Sequence, residues 1–269
     1  MLKKQFFYVV TIVAFALTSC SGCSDFSTFF EGEPVTKDFE VTGTYTCLDV
    51  SHAFDVTVSD AVNKVQITVG EKIMPNVRVE MKGNTLRIYL KPHNSTIIAS
   101  AMKVLLPYNA ALTDIEFSGA SDFHSAFGLE GAKVTVSLSG DSDCECDIRA
   151  EEVEIDASGA SDYEGTVTAT RLQLDLSGDS DAKIKGEAGK LILDLSGASD
   201  LKSIVVNKQY GLVCNSCEGS LSGDSDAYLH CDGIIRVSLS GASDLHYTGE
   251  ATTRDCSTSG ASSIKHDRL

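Results

Sequence analysis

Tryptophan is absent from this chain of 269 residues, aromatic residues make up 7%, and only 22 lysines and arginines face 38 aspartates and glutamates. The formal charge of -16 excludes a nucleic-acid partner and direct adhesion to anionic lipid headgroups, both of which need a basic face. It is compatible with cations as partners. No apolar run reaches the ~20 residues that a membrane-spanning helix requires, and after residue 36 no helix of ordinary length is apparent.

The apolar run from Phe6 to Leu17 instead follows Lys3 and Lys4 and leads into "LTSC", Leu17 to Cys20. A short basic region, an apolar core and a small residue before cysteine make residues 1–19 resemble a bacterial lipoprotein signal, with Cys20 as the lipidated residue after cleavage. Removing residues 1–19 removes two lysines and no acid, so the formal charge becomes -18. The alternative is an ordinary cleaved signal that leaves Cys20 and Cys23 as thiols. Residues 20–36 mix small, acidic and aromatic residues without a period and read as a tether.

Residues 37–117 read as an N-terminal region of strands with alternating polar and apolar residues. "FDVTVSD" sets Phe54, Val56 and Val58 on one face, and "KVQITVG" does the same with Val65, Ile67 and Val69. "VRVEMKGNTLRIYL" holds two such runs around Gly83-Asn84, a dipeptide that predicts a tight antiparallel hairpin.

From Ser118 a repeat takes over. "SGASD" or "SGDSD" recurs with its glycine at Gly119, Gly140, Gly159, Gly178, Gly197, Gly223 and Gly241, and "SGASS" follows at Gly260, in steps of 21, 19, 19, 19, 26, 18 and 19. A near-constant step predicts an all-β, right-handed parallel β-solenoid over residues 118–269, with about eight coils of about 19 residues. At ~4.8 Å per coil it is roughly 35 to 40 Å long. The single long step marks an insertion around "NKQYGLVCNSC". Inward columns follow from alternation: Val134, Val136 and Leu138 match Leu172, Leu174 and Leu176, then Leu191, Leu193 and Leu195, with Phe123, Cys144, Tyr163, Ala182 and Leu201 in a second column. Glu164 and Lys183 are expected to meet across adjacent coils.

Each motif sits where an apolar strand stops, so it marks a corner at which glycine permits backbone angles or close stacking that a Cβ blocks. The middle position alternates Ala120, Asp141, Ala160, Asp179, Ala198, Asp224 and Ala242, which spaces its carboxylates two coils apart. The closing aspartates, Asp122, Asp143, Asp162, Asp181, Asp200, Asp226 and Asp244, have no such relief. Either each accepts hydrogen bonds from donors of its own corner, or neighbours bridge calcium as a metal ladder. The corner lacks the dense "GGxGxD" spacing of calcium-binding coils, which favours the local role and no cofactor.

A lipobox, alternating strands that end in "LPYNAALTDIEFSGASDF", and recurrent "LSGxSD" together resemble the head GIN domain family of autotransporter adhesins over about residues 37–263. The resemblance implies an exported β-helical protein of a Gram-negative bacterium, and no catalytic residues carry over from it. An outer-membrane lipoprotein on the cell surface or periplasmic face is then expected. It touches the membrane through its lipid only and offers its acidic wall to a protein or glycan partner.

Cysteines and acids admit other readings. "DCECD" at 143–147, "CNSC" at 214–217, Cys231 and Cys256 have the short spacing of zinc ligands. Cys144, Cys146, Cys217, Cys231 and Cys256 nevertheless fall mostly in inward columns, where cysteine is a small hydrophobe, and disulfides within the insertion or between coils are the other alternative. A polysaccharide-cleaving enzyme needs differentiated acids and bases on one wall, whereas the basic residues here are scattered. A purely structural envelope lipoprotein remains the plain competitor.

Overall fold

The computed structural model describes residues 32–91 and 102–269. The signal segment, Cys20 and residues 20–31 of the tether lie outside the described residues. Alternation of apolar and polar residues makes this an all-β chain. Its strands are β1 (Pro34–Phe39), β2 (Cys47–His52), β3 (Phe54–Ser59), β4 (Val65–Gly70), β5 (Val77–Lys82), β6 (Thr85–Leu90), β7 (Met102–Pro107) and β8 (Asp114–Gly119). Then come the long strands β9 (Asp122–Gly140), β10 (Asp143–Gly159), β11 (Asp162–Gly178) and β12 (Asp181–Gly197). The chain continues through β13 (Asp200–Lys202), the short pair β14 (Val205–Val206) and β15 (Gln209–Tyr210), β16 (Leu212–Leu221), β17 (Asp226–Leu239) and β18 (Asp244–Thr248). It closes with β19 (Thr252–Thr253), β20 (Ser257–Thr258) and β21 (Ser263–His266).

The repeats stack as a β-solenoid in parallel register. Strand β10 lies between β9 and β11, with Gly159 opposite Gly140 on one side and Gly178 on the other. The expected columns point inward: Leu174 and Leu193 are register partners, and both are fully buried, as are Phe123, Ala182 and Leu201. Burying one such leucine contributes about 1.5–3 kcal/mol, so each coil gains from its neighbours rather than from itself. The insertion forms the hairpin β14–β15, whose turn residues Asn207 and Lys208 both have positive φ. The hairpin expected at Gly83-Asn84 is present, joining β5 and β6 with Lys82 opposite Thr85.

Parallel stacking extends back before Ser118. Strand β2 pairs in parallel with β8, Cys47 opposite Asp114 and His52 opposite Gly119, while β3 pairs with β9. "SHAFD", Ser51 to Asp55, therefore occupies the corner position of the later "SGASD". His52 adopts the glycine conformation there, with φ 96°. Chain order and stacking order then part company. Strands β6 and β7 return beneath β2 and β3, also in parallel. Antiparallel β5 and β4 lie beyond them, and β1 pairs with β4. Strand β1 begins at Pro34, inside the segment read as tether. Its starting proline and its Lys37 and Asp38 suit a strand at the sheet margin.

Candidate functional site

The corner motif is first a packing device. Glycines 119, 140, 159, 178, 197, 223, 241 and 260 all have positive φ, between 75° and 87°. A Cβ at Gly178 would lie 2.5 Å from the carbonyl oxygen of Gly159, closer than real side chains come. The second serine of each motif, Ser121, Ser142, Ser161, Ser180, Ser199, Ser225 and Ser243, is 0% exposed. In all of them but Ser121 the hydroxyl donates to the carbonyl of the first serine, as Ser161 does to Ser158 at 3.0 Å, and those of Ser142, Ser161, Ser180 and Ser243 also accept from the N–H of the second serine one coil earlier, as Ser161 does from Ser142 at 3.3 Å. A buried hydroxyl is tolerated only when satisfied in this way. The sequence carries this role in the invariance of that serine within the repeat, although the period alone does not say which way it points.

The closing aspartates are neutralised by a different route from the one expected. Asp122, Asp162, Asp200, Asp226 and Asp244 accept not from their own corner but from the backbone N–H of the next coil, donated by Asp143, Asp181, Asp226, Asp244 and Ser263 at 3.0–3.3 Å. The parallel register places that N–H directly beside the carboxylate, which sequence spacing does not reveal. At Asp143 and Asp181 the next coil's N–H goes to the carbonyls of Ser142 and Ser180 instead. Asp181 meets the ammonium of Lys202, and Lys265 lies 2.5 Å from Asp244. Burial pushes the carboxyls of Asp122, Asp143, Asp162 and Asp200 above the usual range. Lys265 and Ser263 hold that of Asp244 below it. Among the described residues no group of three or more His, Cys, Asp or Glu side chains converges as metal ligands do.

Two outward columns border the corners. One runs through Glu145, Glu164, Lys183, Lys202, Tyr228, His246 and Lys265. Glu164 and Lys183 pair at 2.7 Å, and Tyr228 stacks on His246 with ring centroids 4.9 Å apart. Tyr210 of the inserted hairpin packs edge-on to Tyr228 and donates to Asp267, which also lies 2.9 Å from His246. The other column carries Asp156, Asp175 and Asp194 on successive coils. Burial and then neighbouring carboxylates raise the first two.

Cys144, Cys146, Cys214, Cys217 and Cys231 are buried and Cys256 half-buried, all as free thiols. Burial pushes the thiols of Cys144 and Cys217 well up and keeps them protonated. His230 faces outward to Thr248 and Asp232 while Cys231 faces in, as strand alternation requires. At the N-terminal end a cavity opens between the loops before β2, between β3 and β4, and after β7. Among the described residues no helix is long and apolar enough to cross a membrane.

Known structures share this architecture. A protein named "putative adhesin" from Parabacteroides distasonis superposes with a TM-score of 0.76 at 18% identity, covering 88% of this chain and 98% of its own. A second from the same species, named "putative lipid binding protein", gives 0.73 at 17%, covering 88% and 98%. A "putative adhesin" from Bacteroides fragilis gives 0.58 at 23%, covering 87% and 97%. At these identities the likeness is one of fold. No curated protein matches the chain. The family model described as "Putative auto-transporter adhesin, head GIN domain" matches residues 44–251, from the first coil through the repeated corners, and the chain belongs to that family.

Proposed function

We propose that this chain is a non-enzymatic, adhesin-like binding module of the cell envelope, anchored by lipid at Cys20 and presenting its solenoid wall to a protein or glycan partner. Membership of an adhesin family supports the coarse reading. The observation that carries the rest is the structural use of the corner carboxylates. Asp122, Asp162, Asp200, Asp226 and Asp244 each accept a backbone N–H of the next coil at 3.0–3.3 Å, which commits them to the stack rather than to a substrate. A rigid repeated surface of this kind suits contact along its length. Residues 1–19 act as the signal and 20–33 as the tether in this reading, since Pro34 already opens β1, with the module on the outer membrane.

The test is metabolic labelling with palmitate combined with protease treatment of intact cells. Wild-type protein should label and be cut on intact cells, and Cys20→Ser should abolish the label. Protection from protease on intact cells, with cleavage only after lysis, would refute the adhesin role.

A further inference from the structure

Three loops meet at the N-terminal end of the solenoid: residues 40–46, 60–64 and 107–113. They line an open-sided cavity of about 230 Å³. Tyr108 contributes an aromatic side chain and is 48% exposed, as few large hydrophobes among the described residues are. Phe127 backs it at a centroid distance of 4.8 Å, so the ring is held in place while staying accessible. Asn109 fixes the same loop, its side-chain amide donating to the Tyr45 carbonyl at 2.8 Å and accepting from the Ala111 N–H at 3.0 Å. Glu40 and Lys64, which also line the cavity, pair at 2.6 Å, and Asn63 is a further lining residue.

Among the described residues the charges of the lining cancel, since Glu40 and Lys64 are the only ionised groups there. On a chain of net charge -16 this makes the cavity an electrically neutral, polar hollow with one aromatic face. An aliphatic ligand would leave the ion pair and Asn63 unused. An anionic one would meet Glu40 and the acidic surface around it. A polyhydroxylated ring suits both kinds of surface, because its C–H face can lie on the aromatic ring beside Val41, Val65 and Pro107 while its hydroxyls exchange hydrogen bonds with carboxylate, ammonium and amide. The volume lies below the ~300–1,000 Å³ of drug-sized pockets, which fits one sugar unit rather than an extended chain.

We propose that this cavity receives an uncharged sugar unit of a surface glycan, with Tyr108 as the stacking platform and Glu40, Lys64 and Asn63 as the hydroxyl partners. The inference deepens the binding-module reading and rests on it.

The experiment probes a printed array of neutral, sialylated and sulfated glycans with the full-length protein in detergent, alongside Tyr108→Ala and Tyr108→Phe. Binding to neutral glycans is expected, weakened at least tenfold in Tyr108→Ala and retained in Tyr108→Phe, with melting temperatures unchanged. Binding confined to charged glycans, or neutral-glycan binding that Tyr108→Ala leaves intact, overturns the cavity as the site while the binding-module reading stands. Silence across the array also overturns it, and the same labelled protein applied to intact cultured epithelial cells then separates the cases. Adhesion there leaves a protein partner, and none means the binding-module reading fails as well.

Discussion

The carboxylate of Asp162 accepts a hydrogen bond at 3.1 Å from the backbone N–H of Asp181, one coil further along the stack. Geometry of this kind makes the closing aspartate an inter-coil bracket whose acceptor oxygen matters more than its charge. Asp162→Asn keeps an oxygen in place and should cost well under 1 kcal/mol, whereas Asp162→Ala should cost about 1–2 kcal/mol. Urea unfolding of the two variants measures the difference, and millimolar calcium should leave the melting temperature of the parent unchanged. Equal losses, or a calcium-dependent rise of several degrees, would favour the metal ladder instead.

Ser161 offers a sharper test, because its hydroxyl is fully buried between two partners. Ser161→Ala leaves the Ser142 N–H and the Ser158 carbonyl without that partner, at a cost of roughly 1–3 kcal/mol. Chemical denaturation should show a lower midpoint with an unchanged slope. A neutral substitution would mean that the serine column is incidental to stability.

Much of this was legible from alternation and period. Leu174 and Leu193, Tyr163 and Cys144 lie where period two places them, and Glu164 meets Lys183 as the register requires. What escaped was whatever depends on a partner distant in sequence. The corner at Ser51–Asp55 has no glycine and so breaks the motif, yet β8 shapes it from 67 residues away, since Cys47 lies opposite Asp114. The direction of the aspartate hydrogen bonds is likewise set by the coil above rather than by local turn chemistry. For the cavity around Tyr108, sequence offered only scattered residues that three separate loops bring together.

His52 is the first corner's substitute for glycine, and it holds φ at 96° with a side chain attached. Such a conformation costs an L-residue roughly 1–2 kcal/mol. His52→Gly should therefore stabilise the protein by about 1 kcal/mol, less whatever its ring contributes through Ser51 at 3.0 Å. Differential scanning calorimetry should show a higher melting temperature, and a lower one would mean that the histidine side chain outweighs the strain.

Acid should strengthen this fold before it weakens it. Burial holds Asp122, Asp143, Asp156, Asp162, Asp175 and Asp200 above the ordinary value of 3.8, so between 3.8 and their raised values the folded chain binds more protons than the unfolded one. Stability then falls as pH rises through that window, and the deficit persists to neutrality. Asp232, Asp244 and Asp267 are held low, Asp244 by Lys265 and Ser263, and they act in the opposite sense, losing their contributions as pH falls below 3.8. The melting temperature should be higher at about pH 4.5 than at pH 7.5, turning down only in stronger acid. A steady decline from pH 7.5 towards 4.5 would contradict this assignment.

The return of β6 and β7 beneath β2 and β3 bears on the order in which the molecule assembles. A repeat such as β11 needs only its sequence neighbours, and its contacts close over 19 residues, Asp162 meeting Asp181. Strand β2 finds its partners at Thr85 and Asp114, so Leu48 and Val50 stay uncovered until a much longer stretch has been made. Since long loops close slowly, the repeats that are synthesised last are the ones equipped to fold first. The N-terminal coil, though earliest off the ribosome, is joined to a stack already forming, and its apolar strands are the part of the nascent chain that needs shielding in the interval.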